Sequence, residues 1–145
     1  MNDLEDIKNL NQKLFYNDYL FDKTLDLAWP SKNKKYFKKH ILDKNSLTQV
    51  AEDKGKIIGY AIGSITKAES YRIIKHFAEL ENMLIIKNYR GKGIGTKLIL
   101  NFLQWAKNKG IKRTRMIASA DNKEAIALYK KIGFKEHNII LEQNT

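Results

Sequence analysis

Over residues 3–16, DLEDIKNLNQKLFY, apolar side chains fall at Leu4, Ile7, Leu10 and Leu14, one face of a helix that Asp3 is placed to cap. Residues 17–30 lose that period and end in Trp29-Pro30, the only proline, which opens or precedes a second helix. SKNKKYFKKHIL predicts a basic helix with Tyr36, Phe37, Ile41 and Leu42 turned inward. From Ser46 the pattern becomes strand-like. SLTQVAED and KIIGYAIGSI predict a pair of strands joined by DKGK, where Gly55 suits a hairpin. Residues 64–76 are mixed and predict a loop, and FAELENMLII (77–86) predicts a third strand. Ile94, Leu98, Phe102 and Ala106 recur every four residues, a helix that stops near Gly110. IKRTRMIAS reads as a fourth strand. DNKEAIALYKKI reads as a capped helix with Ala125, Leu128 and Ile132 inward and Gly133 as its stop. KEHNIILEQ is expected to add a final strand. With no internal repeat and no linker, the alternation predicts one α/β domain over residues 1–145.

Composition narrows this picture a little. Hydrophobic residues make up 43 % of 145, enough for one sizeable core. No apolar run approaches the ~20 residues of a membrane span. MNDLEDIKNL lacks a basic-then-apolar leader pattern, so a cytoplasmic protein without membrane association is expected. The absence of cysteine excludes disulfides and thiolate metal sites. The formal charge of +11 raises the question of a nucleic-acid partner. Only Arg72, Arg90, Arg113 and Arg115 among the 27 basic residues are arginine, and the lysines are scattered, so the charge reads as chain-wide bias rather than a nucleic-acid site.

The unusual stretch is NYRGKGIGTKLI, residues 88–99, which holds three of the eight glycines. A glycine-rich turn entering a helix exposes backbone N–H groups at the positive end of the helix dipole, which makes an anion site. The order Gly95-Thr96-Lys97 is wrong for a P-loop, and G-x-G-x-G so late in the chain is wrong for a dinucleotide fingerprint. A ligand-free tight turn is the plain alternative. Arg90-x-x-Gly93-x-Gly95, between a strand and an amphipathic helix, resembles the acetyl-CoA pyrophosphate loop of the GCN5-related N-acetyltransferase (GNAT) family. NMLIIKNYRGKGIGTKLI resembles that family's strand, loop and helix throughout. SADNKEAIALYKKIGF resembles its second CoA segment, and AEDKGKIIGYAIGSI its preceding hairpin.

The resemblance implies a mixed, mostly antiparallel sheet flanked by helices, with a splayed strand pair holding CoA. It implies a CoA-binding core over 77–135 and a helical acceptor-side region over 1–45. The first and last family strands are missing or shortened here, and the sheet edges are open to a second subunit. By resemblance, the backbone of Met83, Leu84 and Ile85 holds pantetheine. The pyrophosphate sits on Gly91, Lys92, Gly93, Ile94, Gly95 and Thr96, with Arg90 close by and Asn122 on the CoA arm. Tyr129 falls where many members carry a general acid, a phenol of pKa ~10 facing a thiol of ~8.5; packing in the core is the alternative. Glu79 and Glu81 lie two apart on one strand face and are candidate bases, and Glu79 stands eleven residues before Arg90, as in the histone-modifying branch. A solvated face is the alternative for this pair.

Ile117 replaces the acid of the ribosomal-protein acetyltransferases, which argues against a protein α-amine acceptor. Asp18, Asp22 and Asp26 would form an acidic stripe if their stretch is helical; a solvated face is the favoured reading. His40, His76 and His137 are too scattered for a metal site, and no metal is expected. The implied function is acetyl transfer from acetyl-CoA to a primary amine, that of a small molecule first and of a protein or peptide second. A CoA-binding or nucleic-acid-binding module without turnover is the alternative of another class.

Overall fold

The computed structural model describes residues 3–145. Three helices come first: α1 (Leu4–Asp18), α2 (Trp29–Lys32) and α3 (Lys34–Leu42). Strands β1 (Ser46–Asp53), β2 (Lys56–Lys67) and β3 (His76–Ile85) follow, then α4 (Ile94–Asn108), β4 (Thr114–Met116) and α5 (Lys123–Ile132). The strands form one sheet in the order β1-β2-β3-β4, antiparallel except for the parallel β3–β4 pair. Asp53 pairs with Lys56 across a two-residue turn, Lys54-Gly55, and both turn residues have positive φ (50° and 80°), which matches the twist of the flanking strands.

The sheet separates two apolar layers. On one face Leu98, Ile99, Phe102 and Ala106 of α4 cover Ala61, Ala78, Leu80 and Ile85. On the other, Leu4, Ile7 and Leu10 of α1 and Phe37 of α3 cover Tyr60, Ile62 and Leu84. Leu80 and Leu84 of β3 thus serve opposite layers although four residues apart. A β-bulge explains this: Ile62 pairs with Asn82 and Gly63 with Leu80, leaving Glu81 as the extra residue.

Gly63 sits where the strand and α4 come closest. A Cβ there would lie 2.2 Å from Cε2 of Phe102 and 2.8 Å from the Glu79 carbonyl oxygen. Gly63→Ala is expected to cost about 1–3 kcal/mol by overpacking, read as a lowered denaturant midpoint with an unchanged slope. A midpoint equal to the parent's would mean that α4 moves away freely.

Four local expectations need correction. Leu42 is exposed, and His40 is buried beside Phe37 in α3 instead; Leu42 lies five residues past Phe37, about 140° round the helix. The fourth strand is only three residues long, because the bulge at Glu81 bends β3 away and the ladder ends at Leu80–Met116. The expected final strand does not form. Residues 134–145 carry no ladder, since so short a β4 offers no edge long enough to template one, and Ile139, Ile140 and Leu141 are exposed. Residues 19–28 are not helical, so there is no acidic stripe; Asp22 and Asp26 accept hydrogen bonds from the backbone N–H groups of Thr24 and Ala28. No helix of the described residues is long and apolar enough to cross a membrane.

Candidate active site

Beyond the bulge, β3 keeps its partner on one side only. Met83, Leu84 and Ile85 pair with Ala61, Tyr60 and Gly59 of β2, while their other edge has no ladder partner among the described residues. The strand therefore splays from β4 and leaves a row of backbone donors and acceptors open. Residues Lys87–Tyr89 form a 3-10 turn, and Arg90 Nε donates to the Ile85 carbonyl at 2.8 Å, which anchors the arginine at the strand end.

The glycine turn follows. Gly91 (φ +75°) and Gly93 (φ +81°) are left-handed, and a Cβ on either would meet nothing within 4 Å. Their need for glycine comes from the backbone conformation, and the space in front of them is open. Gly93 caps α4 without any side-chain hydrogen bond. The N–H groups of the first helical turn, Ile94, Gly95 and Thr96 among them, therefore lack acceptors and face outward with the dipole behind them. Lys92 lies over the Tyr89 ring at 5.3 Å, and Tyr89 donates to Asp53 Oδ2 at 2.7 Å, which ties the turn to the β1–β2 hairpin. These features fit an anionic, phosphate-bearing ligand: uncapped donors, two nearby cations and no side chain in the way.

α5 closes the end of this cradle. Leu128 Cδ2 and Met83 Cε would both lie 3.6 Å from a Cβ on Gly95. Asn122 accepts from Ala125 N at 3.2 Å, so its side chain serves as the N-cap of α5. Tyr129 is half-buried beside Phe134, ring centroids 6.3 Å apart. Burial first, and the negative charge of Asp18 second, push its phenol above the usual value.

A pocket of about 330 Å³ opens on the α1–α3 face next to the bulge. Because the bulge puts consecutive residues on one face, Glu81 and Asn82 both line it, with Asn11, Asp18, Trp29 and Tyr36. Asn82 Nδ2 donates to the Tyr36 hydroxyl at 2.8 Å, and Asn11 Nδ2 donates to the Tyr60 hydroxyl at 2.8 Å. Glu81 Oε2 accepts from Ser64 Oγ at 2.9 Å and meets His40 Nε2 at 2.8 Å. His40 Nδ1 lies 2.9 Å from the Tyr36 carbonyl, an acceptor only, so Nδ1 carries the hydrogen. A neutral ring would then turn a bare Nε2 toward the carboxylate. Burial works against the imidazolium, but the hydrogen bonds to Glu81 and the Tyr36 carbonyl outweigh it and raise the His40 pKa. Tyr36 is pushed up by burial and then by the Glu81 charge.

Glu79 sits on the same face but goes elsewhere. Its Oε1 is 3.6 Å from Arg115 Nε, and Arg115 also pairs with Glu69 at 3.1 Å and covers the Phe77 ring at 4.1 Å. The structure thus brings Arg90 to Thr96, the open edge of Met83–Ile85, Tyr129 and Glu81 around one end of the sheet, and leaves Glu79 in an arginine cluster. Sequence reading did not assign His40, Asn82, Trp29 or Tyr36 to this site. The four-residue spacing of Tyr36 and His40 on a helix was a usable signal; the bulge that turns Asn82 inward had none. Among the described residues no group of three or more His, Asp or Glu side chains could hold a metal ion.

Comparison with known proteins bears on this arrangement. The model of the acetyltransferase (GNAT) family matches residues 5–134. An uncharacterised N-acetyltransferase of Methanocaldococcus jannaschii is 29 % identical over 146 aligned residues, 95 % of this chain, and the chain spans 59 % of that relative's length. Among solved structures, a mutant of the BH1408 protein from Bacillus halodurans superposes with a TM-score of 0.88 at 16 % identity, covering 99 % of this chain and 94 % of the other. A predicted acetyltransferase from Clostridium acetobutylicum, solved with acetyl-CoA, superposes with a TM-score of 0.79 at 23 % identity, covering 99 % and 90 %.

Proposed function

Because this chain belongs to the acetyltransferase (GNAT) family, we propose that it transfers the acetyl group of acetyl-CoA directly to the primary amine of a small molecule. The observation that carries this reading is the two-sided build of β3. Its open edge runs into the uncapped end of α4, while its bulge delivers Glu81 to a walled pocket on the opposite layer. A pocket of about 330 Å³ suits a small amine better than a polypeptide segment.

In this reading the backbone of Met83–Ile85 binds the pantetheine arm. The amides of residues 91–96, with Arg90 and Lys92, bind the pyrophosphate, and Asn122, whose Oδ1 caps α5, meets the CoA arm. Bound acetyl-CoA supplies an acyl carbon with a thiolate leaving group. The acceptor arrives as an ammonium and must lose a proton before it can attack. Glu81 takes that proton through Oε1, because Oε2 is already held by Ser64 and His40. Tyr129 keeps its proton at the phenol oxygen, available to the departing sulfur. Glu79, 3.6 Å from Arg115 Nε, leaves the proton transfer to Glu81 in this reading. The outer edge of β1, eight residues long and unpaired among the described residues, favours a homodimer built by strand pairing, which sedimentation would read as twice 16.9 kDa.

The test uses binding and turnover together. Acetyl-CoA at a hundredfold excess over its Kd is expected to stabilise the fold by about 2.7 kcal/mol. Gly93→Val is expected to remove most of that shift and to cost about 1–2 kcal/mol by itself, because a side chain at φ +81° is strained and enters the open space. Free-thiol release from acetyl-CoA, followed across a panel of small amines and lysine peptides, tests turnover. A parent melt indifferent to acetyl-CoA would overturn the reading, and release with peptides alone would overturn its small-molecule part.

A further inference from the structure

We propose that Asp18 is the counter-ion of a cation subsite, and that the pocket beside it binds a primary ammonium carried on a flat apolar body. The proposal names the acceptor class and so rests on the acetyl-transfer reading, but its test does not depend on turnover. Asp18 breaks local rules with no compensating cation among the described residues. It is the last residue of α1, at the negative end of the helix dipole, and no basic residue stands in that final turn. It is half-buried, and burial alone, with no paired cation, raises its carboxyl. The neighbouring acids are all engaged: Glu79 by Arg115, Glu81 by His40 and Ser64, Asp22 by Thr24, Asp26 by the Ala28 amide. An uncompensated charge at a pocket wall is stabilised by an incoming cation.

A second polar residue of the pocket lining lacks a partner of its own. Asn11 is 1 % exposed and lines the pocket, and its Oδ1 has no hydrogen-bond partner among the described residues. An ammonium brings three N–H donors, enough for Asp18, Asn11 and Glu81. The wall between them is aromatic. Phe15 and Trp29 stack with centroids 5.6 Å apart and planes 5° from parallel, and Tyr36 meets Trp29 edge-on at 5.2 Å. Such faces attract both a cation and a ring-sized apolar body.

Trp29 is also the reporter. The chain has two tryptophans, and Trp105 lies in the other layer, stacked on Phe102. In a Trp105→Phe background, Trp29 fluorescence is titrated with 2-phenylethylamine and with its uncharged counterpart 2-phenylethanol, each with and without CoA. The amine is expected to bind about tenfold or more tightly than the alcohol. Asp18→Asn is expected to weaken the amine by a similar factor and leave the alcohol unchanged, while Asp22→Asn changes neither. Calorimetry on the unsubstituted chain repeats the amine–alcohol comparison, in case the background variant folds poorly. Equal binding of amine and alcohol, no binding of either in both conditions, or an Asp18→Asn affinity equal to the parent's would overturn the proposal. Loss of the acetyl-CoA thermal shift with the amine preference intact would overturn the transfer reading and leave the cation subsite standing.

Discussion

Tyr129→Phe is expected to lower kcat by roughly 10²-fold or more while leaving acetyl-CoA affinity within about twofold of the parent. The substitution keeps the ring that packs beside Phe134 and removes only the proton. The environment sharpens this expectation. Burial and the Asp18 charge raise the phenol, so it stays protonated through neutral pH and gives up its proton only as charge builds on a leaving group. The loss should therefore be the same at every pH well below 10, because the acid form is fully populated throughout. Single-turnover kinetics from pH 6 to 9 would show it as a constant ratio. A loss of less than about threefold would make Tyr129 a packing residue only.

Glu81→Gln is expected to behave in the opposite way. An acceptor of pKa ~10.4 is free to about one part in a thousand at pH 7.4, and to about one part in ten at pH 9.4. If Glu81 takes the proton, its loss should cost 10²–10³-fold near neutrality and shrink to roughly tenfold or less as pH approaches the amine's own value. Glu79→Gln should give a small, pH-independent loss, since that carboxylate is committed to Arg115. A constant factor for Glu81→Gln at all pH values would make it a binding group and leave water as the base. His40→Gln separates support from chemistry. Folding raises the His40 pKa, so its pairing with Glu81 stabilises fully below about 6.5 and is lost as pH rises through the folded value. His40→Gln should lower the melting temperature at pH 5–6, leave it unchanged near pH 9, and cost only a few-fold in turnover.

Much of this was legible in the sequence because it rests on local rules. The Lys54-Gly55 turn, the α4 face of Leu98, Phe102 and Ala106, and the Asn122 cap of α5 follow from turn chemistry, helical period and capping. The glycine turn was legible for the same reason: Gly91 and Gly93 are there for their φ angles. What escaped depends on tertiary geometry. Whether Glu79 or Glu81 faces the pocket turns on which of them Arg115 claims, and Arg115 lies on a strand more than thirty residues later. The inward turn of His40 follows from the way α3 lies on β1 and β2. The final strand was predicted from a good local pattern, KEHNIILEQ, that finds no ladder in the chain. Strand propensity describes a fit to neighbours, and here the neighbour is missing.

The bulge in β3 carries a consequence for how this protein can vary. It shifts the phase of the strand by one residue, so the half that pairs with β4 and the half that presents the open edge follow different inside–outside patterns. Point substitutions at Glu81 or Asn82 change a side chain and leave that phase alone. A one-residue deletion there would restore simple alternation and keep Met83 and Ile85 facing α4, but the pocket would lose one of its two adjacent polar groups. A one-residue deletion before the bulge would instead force a choice between the β4 ladder and the bulge, because only one half of the strand could keep its register. Lineages of this chain should therefore tolerate exchange of acceptor-side residues far better than any change in the length of residues 76–85.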